Sequence, residues 1–281
     1  MIDSMSLPVT VLVSGGGGTL GKILAEKLKQ KGVENRALNR SVGYQNDLKS
    51  AIVASFSQNT VRFVAVFAGI PPQPRSKRDW KFHRKDCQEL FSLCQENKVP
   101  FFYVSSLSAH DSNRSSYSSW KRLIEKDALK SGGKIARFGI IQSSDSKSSH
   151  GKLLRLIPFF SRLGILDPDA EYYLTTEQNV SEFATDISGT KIMDHPRIKN
   201  YCEPLIYNYL DLLNSYNQTA AVTSNPINVS GARKKVSPIC QKIASRSKWL
   251  DIPFTFSLID PFINFYHGMK LFNDSDLRAN V

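Results

Sequence analysis

A chain of 281 residues, 41% of them hydrophobic, can bury a substantial core and suits one large α/β domain with a smaller appended region. The formal charge of +12 favours an anionic ligand or surface, but the densest basic run is only Arg233-Lys234-Lys235, which argues against a dedicated nucleic-acid role. No signal-peptide pattern, membrane-spanning run or metal-spaced Cys/His cluster is present, so a cytoplasmic protein without a metal is expected.

The first half alternates strand and helix. Val9 to Ser14 is a β-branched run that predicts a buried strand, and Thr19 to Lys31 predicts a helix with Leu20, Ile23, Leu24 and Leu28 on one face. Arg36 to Asn39 predicts a second strand, Ala51 to Phe56 a short helix, and Val61 to Phe67 a third strand ending in Ala68-Gly69. After the Pro71–Pro74 loop, Cys87, Leu90, Phe91 and Cys94 form a helical stripe, and the two thiols read as buried core rather than as redox partners. Pro100 to Ser105 predicts a strand, Ser116 to Leu129 a helix, and Ile135 to Ile141 the last strand of the series. Five strands alternating with helices imply a doubly wound parallel sheet of Rossmann type over residues 1–145. Residues 146–281 read as a smaller C-terminal, substrate-binding region packed on the same unit, with an apolar helix from Leu153 to Phe160.

Between the first strand and the first helix lies Gly15-Gly16-Gly17-Gly18-Thr19-Leu20-Gly21. Gly15 permits the tight turn, Gly18 lets the backbone approach a pyrophosphate, and Gly21 allows the helix to pack closely on the strand. The N–H groups of Thr19 and Leu20 open the helix, whose positive end favours phosphate. After the second strand stands Asn39-Arg40-Ser41, with no acid to accept hydrogen bonds from a ribose and repel a 2′-phosphate. The guanidinium of Arg40 suits that phosphate, so NADP is the expected cofactor and NAD the alternative. Asp47 reads either as a contact to the adenine edge or as a solvated loop carboxylate, and Ala68 and Gly69 end a strand at the same sheet edge.

Tyr117 and Lys121 stand four residues apart on a predicted helix, hence on one face. A free tyrosine has a pKa near ~10, and a neighbouring ammonium lowers it enough for the phenol to act as acid and base. Upstream, Ser105-Ser106 ends the preceding strand, where a hydroxyl can polarise a substrate carbonyl.

Together these residues resemble the short-chain dehydrogenase/reductase superfamily, in particular its extended and atypical branch of nucleotide-sugar epimerases, dehydratases and reductases. The resemblance covers roughly residues 8 to 145 and rests on Val13 to Gly21, Phe102 to Ser106, Tyr117 to Lys121, and Ala136-Arg137-Phe138-Gly139. A weaker echo is Ile227 to Gly231. The resemblance implies Ser106 as the substrate-polarising hydroxyl, Tyr117 as acid/base and Lys121 as its activator. It also implies cofactor binding by Gly15, Gly18, Gly21 and Arg40, with Ala68 and Gly69 on the nicotinamide side. The chain departs from the family near Phe82-His83, where an asparagine is frequent, and in the short spacing from Ser106 to Tyr117.

The function so implied is NADP(H)-dependent oxidation, reduction or epimerisation of a carbonyl or hydroxyl on a nucleotide-sugar-like small molecule. A second reading is an NADP(H)-binding regulatory or assembly protein without catalysis. The aromatic segment Trp249 to Phe272 suits either core and lid helices or a peripheral membrane contact, and a homodimer is compatible with both.

Overall fold

Strand β1 (Val9–Ser14) is buried along nearly its whole length, and its side chains divide between two helical layers. Val11 and Val13 face one layer with Val64, Val66, Phe102, Val104, Ala136 and Phe138; Leu12 faces the other with Ala65, Phe67, Phe101, Tyr103 and Ile135. This period-two division across continuous apolar strands is what a parallel sheet covered on both faces requires. The computed structural model describes residues 9–38, 41, 43–58, 62–68, 77–109, 116–142, 172–189, 192–204 and 206–207.

The elements follow as α1 (Thr19–Gln30), β2 (Glu34–Ala37), α2 (Tyr44–Gln58), β3 (Arg62–Phe67), α3 (Lys77–Glu96), β4 (Phe101–Ser106), a single 3₁₀ turn (Leu107–Ala109), α4 (Ser116–Lys130) and β5 (Lys134–Phe138). Then come β6 (Ile140–Ile141), β7 (Tyr172–Thr175), α5 (Glu177–Ser188), β8 (Ile198–Tyr201) and β9 (Ile206–Tyr207). The main sheet has six parallel strands in the order β2-β1-β3-β4-β5-β8. This is the doubly wound α/β architecture expected from the sequence. Among the described residues its first wing holds one strand, β2, where a full mononucleotide-binding half holds two.

Three expectations shift, each for a physical reason. The second strand lies two residues earlier than Arg36 to Asn39, because an edge strand can be polar: Thr10 Oγ1 donates to Glu34 at 3.0 Å and Asn35 Nδ2 donates to Ala25 O at 3.2 Å. Helix α2 begins at Tyr44 rather than Ala51, since its first turn is polar and hides the apolar trio Leu48, Ala51 and Ile52 that packs into the core. The last strand of the series breaks at Gly139. A Cβ there would lie 2.2 Å from Tyr173 O, and its N–H donates to Thr175 Oγ1 at 2.8 Å. The chain therefore leaves the main sheet and pairs with β7 in a small second sheet, β6-β7-β9.

The sheet also gains a sixth strand and a covering helix from beyond the regular alternation. Val180, Phe183, Ala184 and Ile187 of α5 are fully buried beside α1, over Val11, Val64 and Phe102. On the opposite face α2, α3 and α4 enclose Leu48, Leu90, Phe91, Cys94, Ile124 and Ala128. Cys87 and Cys94 are core thiols, as expected, and burial above all pushes both up to about 12. The predicted helix Leu153 to Phe160, the Ile227 to Gly231 segment, Arg233 to Lys235 and the aromatic stretch Trp249 to Phe272 lie outside the described residues. No helix among the described residues is long and apolar enough to cross a membrane.

Candidate active site

The chain winds outward from β1 through α1 to β2, then returns to place β3 on the other side of β1. The carboxyl ends of β1 and β3 therefore border the crevice where open α/β sheets take ligands. Three segments singled out in the sequence end there or beside it: the glycine turn after β1, Ala68 after β3, and Ser106 at the end of β4.

The glycine turn is built on close backbone approach. Gly15 has φ of 73°, and its carbonyl accepts from Gly18 N at 2.9 Å. A Cβ on Gly21 would stand 2.5 Å from Gly15 O and 2.7 Å from Gly16 Cα, both backbone atoms that cannot swing aside. Helix α1 has no side-chain cap and no acid in its first turn, while Lys27 and Lys29 sit in its last. The first N–H groups, from Thr19, Leu20 and Gly21, have no acceptor within the helix, and its positive end faces the crevice. A phosphate or pyrophosphate fits this cradle.

Asp47 is neither a loop residue nor solvated. It lies in the first turn of α2, is 7% exposed, and accepts a hydrogen bond from the Arg36 guanidinium, reaching across from β2. Arg36 is thus the cation paired with Asp47, a partner that sequence reasoning passed over because Arg36 read only as part of a strand. Arg40 and Gly69 lie outside the described residues; Ala68 is half-buried against the α1-side core.

At the end of β4, Ser106 Oγ accepts from both Ser108 N–H (3.2 Å) and Ser108 Oγ (3.0 Å). A hydroxyl has two lone pairs and one proton, so this arrangement turns the Ser106 O–H into a donor. Ser108, on the 3₁₀ turn just after β4, carried no signal beyond being a third nearby serine. The buried hydroxyls of Ser14 and Ser105, at the ends of β1 and β4, have no hydrogen-bond partner among the described residues.

Tyr117 and Lys121 stand one turn apart on α4; the Tyr117 side chain is outside the described part. Lys121 reaches back to β4, where Nζ donates to Tyr103 Oη at 3.0 Å and to Val104 O at 3.3 Å, and lies 4.8 Å from the Tyr103 ring centroid. Its charge is felt on α3 as well. Burial first, and Lys121 second, lowers His83 to about 4. One turn further along α4, Glu125 takes a bidentate ion pair from Arg137 of β5 at 2.9 and 2.7 Å, which ties α4 to the sheet at a second point. Among the described residues no group of acids, cysteines and histidines could hold a metal ion.

No protein-family model matches the chain, and no curated protein matches it in sequence. Solved structures do match in fold. UDP-N-acetylglucosamine 4-epimerase from Bacillus cereus is 17% identical with a TM-score of 0.52, covering 76% of this chain and 82% of its own. UDP-glucose 4-epimerase from Thermus thermophilus, solved with NAD, is 12% identical with a TM-score of 0.51 over 91% of this chain and 99% of its own. The dTDP-4-dehydrorhamnose reductase from Bacillus anthracis, solved with NADP, is 10% identical with a TM-score of 0.57 over 79% and 83%. The chain shares the Rossmann-like fold of these proteins.

Proposed function

We propose that the chain is an NADP(H)-dependent oxidoreductase or epimerase acting on a carbonyl or hydroxyl of a nucleotide-sugar-like metabolite. The observation that carries this reading is the position of Lys121. Its ammonium is fixed on β4 at residues 103 and 104, just before Ser106, and one helical turn from Tyr117. A serine at the end of β4, a lysine bonded to that strand and the helix that bears Tyr117 support the reading, since ligands of this architecture bind beyond the carboxyl ends of the strands. The fold's likeness to epimerases and a reductase named for nucleotide-linked sugars supports the substrate class.

Gly15, Gly18 and the N–H groups of Thr19, Leu20 and Gly21 would hold the pyrophosphate, with Ala68 and Gly69 near the nicotinamide. The nicotinamide of a bound cofactor would supply the hydride chemistry. The remaining work belongs to the chain. Ser106 donates a hydrogen bond to the substrate oxygen and polarises the carbon, keeping its own proton, while Tyr117 gives or takes the one proton exchanged at that oxygen. Lys121 favours the phenolate of Tyr117 and so brings its pKa toward neutrality. The choice of NADP over NAD rests on Arg40 and on the lack of an acid in Asn39-Arg40-Ser41 after β2.

Tyr117→Phe is expected to leave NADPH affinity within about twofold and to lower turnover by about 10²-fold or more. The assay is NADPH consumption with a panel of nucleotide-linked keto sugars, beside thermal stabilisation by NADPH and NADH. Turnover surviving in the variant would remove Tyr117 from its role, and equal stabilisation by the two cofactors would remove Arg40 from its own.

A further inference from the structure

Tyr103 is an unusual member of its layer. Its ring is 2% exposed and packs edge-on against Phe91 at 5.9 Å, in a layer otherwise apolar around it: Phe67, Phe101, Ile135 and Leu90. A buried phenol oxygen needs a partner, and the ammonium of Lys121 reaches it at 3.0 Å. The contact joins the strand that ends in Ser106 to the helix that bears Tyr117. An ammonium swinging on a four-carbon stem costs rotamer entropy to hold, and two acceptors on β4 fix it more firmly than one.

We propose that Tyr103 is a positioning residue: its hydroxyl, together with Val104 O, holds the Lys121 ammonium in register with Tyr117 and Ser106. The proposal rests on the reading of Tyr117 as the acid/base. On that reading Lys121 has a buried tyrosine on β4 that anchors it, and it would activate the tyrosine one turn back along α4. Removing the Tyr103 hydroxyl takes away one of the two β4 acceptors that fix the ammonium, and a Tyr117 phenolate that depends on that charge would then lose part of its stabilisation. Among the described residues the Lys121 charge acts on His83 and Cys87 of α3, and one turn further along its own helix stands Glu125, paired with Arg137 of β5. None of these is altered by the substitution.

The test needs no substrate. Phenolate absorbance of the full chain, with its 10 tyrosines, is followed against pH for the parent and for Tyr117→Phe, Tyr103→Phe and Lys121→Met. The parent should show one tyrosine ionising well below the rest, and Tyr117→Phe should remove that step. In Tyr103→Phe the step should persist but move up by about one pH unit, less than the shift caused by Lys121→Met. Tyr103→Phe keeps the ring among its aromatic neighbours, and far-UV circular dichroism with the thermal midpoint checks that the fold is retained. A step that stays in place in Tyr103→Phe overturns the positioning role while leaving Tyr117 as the acid/base. A step abolished by Tyr103→Phe and untouched by Tyr117→Phe makes Tyr103 itself the titrating group and overturns both readings. Absence of any early step in the parent sinks the Tyr117 reading, and the positioning role falls with it.

Discussion

Gly21 sets the tightest steric condition in the candidate site. A Cβ at this position would collide with Gly15 O and Gly16 Cα, so the first turn of α1 sits directly on the glycine turn. In Gly21→Ala one of those backbone segments must move, and the N–H groups of Thr19 and Leu20 move with it. The expected result is a loss of NADPH affinity of about tenfold or more with secondary structure retained, read by fluorescence titration of the cofactor. Parent-like affinity would mean that the cradle does not hold the dinucleotide. This turn was legible in the sequence because its constraint is local: a strand, four glycines and a helix within a short stretch of chain. Tyr103 was not legible, since it reads as one more ring in an apolar strand. Its significance comes from Lys121, 18 residues further along the chain. Arg36 was hidden in the same way, its partner Asp47 lying on the next element.

Helix α3 carries a half-buried histidine that reports on its packing against α4. His83 is held neutral, first by burial and second by the Lys121 charge, which lowers it to about 4 from the ordinary 6.5. The unfolded chain therefore takes up this proton before the folded one does. Stability falls as pH drops from about 6.5 through about 4, and below that the contribution of His83 is spent. His83→Gln should flatten this part of the profile relative to the parent, measured as the thermal midpoint at about pH 7 and about pH 4.5. A parallel pair of profiles would show that His83 does not report on the α3–α4 contact. At this scale the helices announced themselves where an apolar stripe ran their whole length, as in α1 with Leu20, Leu24 and Leu28. Where a first turn is polar, as in α2, periodicity starts late. Where a strand is cut by a close approach from a distant segment, as Tyr173 cuts β5 from β6 at Gly139, no local pattern records it.

Across the whole molecule, the regular alternation of the first half does not close the core. Residues 172–204 supply β8, the sixth strand, and α5, which lies beside α1 and covers the sheet. Tyr201 of β8 packs on Phe138 and Phe183, with ring centroids 5.3 and 5.0 Å away, and donates to Asp186 of α5 at 2.7 Å. Lys199 donates to the same carboxylate at 2.8 Å, and these hydrogen bonds outweigh burial and hold Asp186 below its usual range. Strand and helix are thus bonded to each other as well as to the sheet. A fragment ending at residue 145 would keep α1 but strip α5 and β8 from the cluster that holds Leu24, Leu28, Phe102 and Phe138, taking Phe183 from Phe102 and Phe138 and Tyr201 from Phe138, side chains fully or almost fully buried in the structure. Burying a side chain of this size contributes about 1.5–3 kcal/mol, so losing the cover from several is comparable with the ~5–15 kcal/mol that separates a folded domain from its unfolded state. Residues 1–145 alone should bind a hydrophobic dye strongly and unfold without a cooperative transition. Extension to residue 208 should restore much of that cooperativity by returning α5 and β8. Cooperative unfolding of the shorter fragment, at a midpoint near that of the full chain, would show that the glycine-turn half is a self-sufficient domain and that α5 and β8 merely rest on it.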